Sequence, residues 1–152
     1  MLLEFVADLY PNSGLLPKDP VIRAKARFFI DAISTKFSPG YFASVLKGES
    51  FDKLFEGIEA IQNLLPSEDK ATYAVSNDFT NADAAFLPFV ARLYVSLKND
   101  IGAFAAGTGP GALKTIQTDP KFARFNKYVD ALFARESYKK TFDEVQIGRA
   151  HV

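Results

Sequence analysis

Apolar residues recur every three or four positions along most of the chain, the spacing of one face of an α-helix. This pattern predicts helices over residues 2–10, 20–37, 51–65, 82–97 and 120–133, and a short helix over 137–145. No stretch alternates apolar and polar residues with the period of two that is typical of a half-buried strand. The sequence therefore predicts an all-α fold, a helical bundle.

Prolines and capping residues mark the ends of these helices. Three prolines, a glycine and an Asn-Ser pair make residues 11–20 a connector between two helical parts. Asp19 followed by Pro20 is a helix start, because the carboxylate can accept backbone N–H bonds and proline suits the first helical position. Pro39 predicts an interruption of the second helix, and Ser50 is a candidate N-cap for the helix over 51–65.

Phe79, Thr80 and Asp83 stand immediately before the apolar run of the helix over 82–97. A threonine and an acidic residue three positions later can each bind the other's backbone N–H, which is a capping box, and Phe79 can pack on the first turn as a hydrophobic staple. We interpret these residues as structural and assign no catalytic residue to the chain. Truncation of Thr80 or Asp83 is expected to cost about 1–2 kcal/mol.

The composition narrows the classes of function. The chain has 152 residues, and its 18 basic and 18 acidic side chains give a formal net charge of zero, so we expect neither a nucleic-acid partner nor an anionic membrane partner. It contains no Cys, and its only His is His151, so we expect no metal site. No apolar stretch reaches the roughly 20 residues that span a bilayer. A soluble cytoplasmic protein is the resulting expectation.

Four segments in the same order resemble the glutathione transferase family. "DFTNADAAFLPF" is similar to the capping box and staple of its helical C-terminal domain, and "LLEFVADLYPNSGLLPKDPVIRAKARFF" resembles the end of its thioredoxin-like domain, the linker and the next long helix. "LKNDIGAF" and "DPKFARFNKYVDALFARESYKKTFDE" are similar to later helices of fungal, omega-like members. The resemblance implies a remnant helix of the thioredoxin-like domain over 1–10, a linker over 11–20 and the C-terminal domain over 21–146.

In that family glutathione is the co-substrate and is bound by the thioredoxin-like domain. The resemblance therefore implies that this chain contributes the acceptor pocket and the homodimer scaffold for conjugation or glutathione-dependent reduction, and that the chain alone is inactive. For a hydrophobic or aromatic ligand, the inner face of the first long helix offers Phe28, Phe29, Ala32 and Phe37. Phe29 and Phe37 also fit an ordinary core, since both lie on the main apolar stripe, whereas Phe28 lies off it.

One alternative function remains open. The chain could instead be a non-catalytic glutathione transferase-like module that carries ligands or assembles proteins. The final segment, "IGRAHV" over 147–152, has no apolar periodicity and matches a reading frame of a common sequencing adapter, so we expect a non-native tail that includes His151.

Overall fold

The computed structural model describes residues 2–143, and all regular structure within that range is helical. The all-α prediction is confirmed. The α-helices are α1 (Leu2–Leu9), α2 (Pro20–Ala32), α3 (Ser38–Tyr41), α4 (Asp52–Gln62), α5 (Asn81–Lys98), α6 (Gly109–Thr118), α7 (Ala123–Phe133) and α8 (Glu136–Thr141). Two π-helical segments (Ile33–Phe37, Phe42–Leu46) and two 3-10 turns (Pro11–Ser13, Pro120–Phe122) complete the set. The suspected tail and the predicted end of the last helix at Val145 lie outside the described residues.

The chain stays helical through Pro39, where the sequence predicts an interruption. A proline in a helix removes one N–H and its ring crowds the carbonyl four residues earlier. The turn before Pro39 is widened accordingly: the backbone N–H of Ser38 binds the carbonyl of Ile33, five residues back, and the Ser38 hydroxyl donates to the same carbonyl at 2.9 Å. The interruption is thus a π-helical turn rather than a loop.

Two glycines allow α4 to pack closely against α3 and the π-helical segment that precedes it. A Cβ atom at Gly40 would collide with the backbone of Lys53 and Leu54, and one at Gly57 would lie 2.9 Å from the carbonyl oxygen of Lys36. Neither position has room for a side chain. The small residue at each site therefore sets how closely the helices pack.

An aromatic cluster lies at the centre of the bundle. Phe86 of α5 packs edge-on against Phe29 at a ring-centroid distance of 6.1 Å and against Phe37 at 5.0 Å, and it stacks on Tyr128 at 6.1 Å. Phe125 completes the cluster at 6.2 Å from Phe86. All five rings are at most 2% exposed. Burial of each stabilises the fold by roughly 1.5–3 kcal/mol, so α2, α5 and α7 are held together mainly here.

Helix α1 packs against α5 and is joined to α2 by an ion pair, with Arg27 Nε 2.7 Å from Glu4 Oε1. The connector that follows reaches α5, where the backbone N–H of Asn81 donates to the carbonyl of Leu15 at 2.8 Å. Ala7 is the buried residue of α1, whereas Leu2, Phe5 and Leu9 are exposed. The division into remnant helix, linker and C-terminal domain stays a prediction.

Candidate functional site

A cavity of about 600 Å³ lies between α2 and the segment over residues 63–77 that joins α4 to α5. This volume is within the range of small-molecule sites, about 300–1,000 Å³. We call it the α2 cavity. Its lining residues are Ile22, Lys25, Phe28, Phe29, Asn63, Leu64, Pro66, Lys70, Ala71, Ala74, Val75, Ser76 and Asn77.

Phe28 and Phe29 present very different surfaces to this cavity. The Phe28 side chain is 63% exposed, while Phe29 is 2% exposed and belongs to the aromatic core. Phe28 therefore has a ring face available to a ligand, and Phe29 anchors the helix behind it. The structure places these two predicted residues at one cavity.

Ala32 and Phe37, the other two predicted binding residues, do not line the α2 cavity. They are 5% and 0% exposed, and the Phe37 ring packs against Tyr41 and Phe86. Both positions face the interior because they share the apolar stripe of α2 and the π-helical segment that follows it. The structure does not bring them together with Phe28.

The wall opposite α2 is held by a long-range contact from α7. Arg124 Nε donates to the carbonyl of Pro66 at 2.9 Å, and Arg124 Nη2 donates to the carbonyl of Ala71 at 3.0 Å. Partial burial lowers the pKa of Arg124, and the charge of Glu68 opposes that shift. One guanidinium thus binds two carbonyls of a segment without regular structure, and both carbonyls belong to residues that line the cavity.

The capping box of α5 holds the same wall. Thr80 and Asp83 form the reciprocal pair, with the Thr80 N–H donating to Asp83 Oδ2 at 2.8 Å. The other oxygen, Oδ1, accepts the N–H of Ala74 at 2.9 Å and the hydroxyl of Tyr128 at 3.0 Å. Since Ala74 lines the α2 cavity, the carboxylate that caps α5 also positions the cavity wall.

Asp83 is fully buried, and this burial raises the pKa of its carboxyl above the ordinary value. Hydrogen bonds from Thr80, Ala74 and Tyr128 oppose the rise, because they favour the charged form. In turn, burial and the neighbouring Asp83 raise the pKa of Tyr128. The group is thus a structural network within the core.

Phe79, the predicted staple, packs edge-on against Tyr73 at 5.8 Å and under the guanidinium of Arg135 at 3.9 Å.

Three polar residues of the site carried no sequence signal. Arg124 acts on carbonyls 53 and 58 residues away, a contact that local spacing cannot show. Lys25 and Lys70 line the α2 cavity but lie in polar stretches that read as solvated surface. The lining contains no Asp or Glu, and residues 2–143 contain no cluster of three potential metal ligands.

Comparison with known proteins places the fold. No family model matches the chain. Glutathione transferase Omega 1C from Trametes versicolor superposes with a TM-score of 0.90 at 48% identity, over 97% of this chain and 61% of that one. Omega 2S from the same fungus, in complex with 2,4-dihydroxybenzophenone, gives a TM-score of 0.86 at 34% identity, over 98% of this chain and 64% of that one. A probable maleylacetoacetate isomerase of Caenorhabditis elegans is 32% identical over 100 residues, 59% of this chain and 46% of its own length.

The chain belongs to the glutathione transferase family. Its structural neighbours are fungal omega-class members, as the resemblance of the four segments predicted. The chain spans roughly half to two thirds of the length of these relatives. Among the described helices, none is both long and apolar enough to cross a membrane.

Proposed function

We propose that this chain forms the helical, acceptor-binding part of a glutathione transferase, and that the α2 cavity receives an aromatic ligand on the Phe28 ring. The observation that carries the proposal is the exposed Phe28 side chain on a cavity of about 600 Å³. An aromatic side chain buries much apolar area on contact, and offset or edge-on ring pairs add about 0.5–1.5 kcal/mol. Ala32 and Phe37 support α2 from within the core.

Two further observations support this function. The remaining lining combines apolar walls with a few polar groups, the composition of sites that bind small molecules. A structural relative at 34% identity is described in complex with 2,4-dihydroxybenzophenone, an aromatic phenol.

In the reaction we propose, glutathione is the co-substrate and is held by a thioredoxin-like domain, so that conjugation or reduction of an electrophile requires both parts. We extend the proposal to a cytoplasmic homodimer acting in detoxification.

Binding of 2,4-dihydroxybenzophenone to the chain, followed by isothermal titration calorimetry, tests the aromatic site. Loss of the Phe28 ring should weaken binding about tenfold in Phe28→Ala, since contact area and ring packing are both lost. Phe42→Ala is the matched control: Phe42 is also partly exposed, at 43%, but it does not line the α2 cavity. Equal affinities of the two variants would exclude Phe28 from the binding role.

The alternative, a non-catalytic module for ligand carriage or protein assembly, uses the same cavity. It differs in one measurable respect. Addition of glutathione and an electrophilic aromatic acceptor to a form that includes the thioredoxin-like domain should produce turnover under the transferase proposal. Ligand binding that depends on Phe28, together with no turnover in that form, would favour the alternative.

A further inference from the structure

We infer that the α2 cavity selects aromatic ligands that carry a negative charge, and that Lys25 and Lys70 recognise that charge. The inference rests on the proposed aromatic site and adds the class of ligand. Lys25 lies on α2, and Lys70 lies on the facing segment over residues 63–77, so one ammonium group belongs to each wall. No carboxylate lines the cavity.

Neither lysine is neutralised by another side chain within residues 2–143. The ion pairs of this part of the chain engage other basic residues: Arg27, Lys53, Lys121, Lys127 and Lys139. Lys25 and Lys70 form no such pair there. Two basic residues thus line one concave surface whose lining includes no acidic residue, an arrangement that raises the local concentration of anions.

The surrounding sequence explains why Lys25 is unpaired. The residues three and four positions away on α2 are Val21, Ile22, Phe28 and Phe29, none of which is acidic, so the usual helical ion pair cannot form. For Lys70, the nearby Glu68 is engaged instead by Lys127, with Lys127 Nζ 2.6 Å from Glu68 Oε1. Asp69, the neighbour of Lys70 in sequence, does not line the cavity.

The apolar lining of the cavity determines which kind of anion can bind. Ile22, Phe28, Leu64 and Val75 present apolar surface, which a small hydrated anion such as phosphate cannot use. An aromatic ring can bury that surface while a phenolate, carboxylate or sulfonate reaches the ammonium groups. Both lysines are exposed, so an anionic ligand can pair with them without the large desolvation cost of a buried ion pair.

A matched pair of fluorescent probes tests the inference. 8-Anilino-1-naphthalenesulfonate and N-phenyl-1-naphthylamine share one ring skeleton, and only the first carries a sulfonate. In Lys25→Met and Lys70→Met, the affinity for the anionic probe should fall about two- to fivefold each, and about tenfold in the double variant. The affinity for the neutral probe should change by less than about twofold. Lys114→Met is the control, because Lys114 is an exposed lysine of α6 outside the cavity.

The salt dependence of the unmodified chain gives a second test without a mutation. Between about 50 and 500 mM sodium chloride, the anionic probe should weaken and the neutral probe should not, since salt screens exposed charges. The inference is overturned if the double lysine variant affects both probes equally or neither. It is also overturned if millimolar phosphate displaces the anionic probe as well as an aromatic sulfonate does, since the site would then recognise simple anions.

Comparison with Phe28→Ala separates this inference from the proposed function. If Phe28→Ala weakens both probes and the lysine variants weaken neither, the aromatic site stands and the charge selection fails. If neither probe responds to Phe28→Ala, or neither binds, the aromatic site fails and the inference fails with it. Circular dichroism of each variant checks that the helical fold is retained.

Discussion

Replacement of Asp83 by alanine removes an acceptor that four donors share. The N–H groups of Thr80 and Ala74 and the hydroxyls of Thr80 and Tyr128 all point to its two oxygens, at 2.8 to 3.1 Å. The Thr80 hydroxyl can rotate to another partner. The other three donors are left without an acceptor in residues that are at most 2% exposed.

The size of the effect follows from that count. Each buried donor without a partner costs about 1–3 kcal/mol, so three of them give about 3–9 kcal/mol. Water that enters the space of the carboxylate will satisfy part of this demand, and loss of an unfavourably buried charge offsets another part. We therefore expect a loss of about 3–5 kcal/mol, more than the 1–2 kcal/mol expected for a local cap alone.

Urea unfolding followed by far-ultraviolet circular dichroism measures this loss directly. The chain has no Trp, so the helical signal is the better probe of unfolding. With a denaturant slope of about 1–3 kcal/mol per M, the midpoint should fall by about 2 M. Asp78→Ala is the matched control, because Asp78 is an exposed acidic residue five positions earlier, and its removal should change stability by less than about 0.5 kcal/mol.

Ligand affinity provides a second measurement on the same variant. Ala74 loses its anchor when Asp83 is removed, so the wall of the α2 cavity should loosen and 2,4-dihydroxybenzophenone should bind more weakly. If Asp83→Ala and Asp78→Ala unfold at the same urea concentration, the network does not stabilise the fold as argued. In that case the burial cost of the carboxylate equals everything that its hydrogen bonds contribute.

Three further predictions concern packing, titration and turnover. Gly40→Ala should destabilise the protein by about 1–3 kcal/mol, because the new Cβ would collide with the backbone of α4. Gly111→Ala, whose Cβ would lie in open space, should be neutral or slightly stabilising, and thermal unfolding of the two variants compares them. Burial raises the pKa of Tyr94 and Tyr128, so above about pH 10 both tyrosines lose their protons in the unfolded chain and keep them in the folded chain. The free energy of unfolding should therefore fall by about 1.4 kcal/mol per pH unit for each tyrosine. Urea midpoints between about pH 9 and 11 should therefore fall less steeply for Tyr94→Phe than for the exposed control Tyr10→Phe, and equal slopes would contradict the reasoning. The 152-residue chain alone should not accelerate the reaction of glutathione with an electrophilic aromatic compound, because a thioredoxin-like glutathione site needs a sheet and no strand occurs in residues 2–143; turnover above the uncatalysed rate would refute this.

Local patterns were sufficient for most helices and for the first half of the Asp83 network. Helix α6 (Gly109–Thr118) was not predicted, because it begins within a glycine-rich stretch that is typical of a loop. Thr80 and Asp83 lie within one helical turn, so their spacing alone predicts the capping box. The partners Ala74 and Tyr128 are 9 and 45 residues from Asp83, and nothing in the sequence near Asp83 marks them. The dual role of this carboxylate, as helix cap and as support of the cavity wall, therefore became visible only in three dimensions.

The α2 cavity likewise has features that local sequence pattern predicts and features that depend on long-range folding. The apolar stripe of α2 indicated that Phe28 differs from Phe29, because only Phe28 lies off it, and their exposures of 63% and 2% follow that pattern. The cavity itself depends on how residues 63–77 fold back over α2, which no periodicity describes. One local prediction is wrong: Ser50 is not the N-cap of α4. Its hydroxyl donates to the Asp52 side chain, with Oγ 2.9 Å from Oδ2, and does not accept a backbone N–H of the helix.

The central claim is that an aromatic ligand binds in the α2 cavity against Phe28. A crystal structure of the chain with 2,4-dihydroxybenzophenone tests it most directly. We expect a benzophenone ring within van der Waals contact of Phe28, between α2 and the segment over residues 63–77, with a phenolic oxygen toward Lys25 or Lys70. A ligand bound instead on the exposed apolar face of α1, with the α2 cavity holding only water, would contradict it.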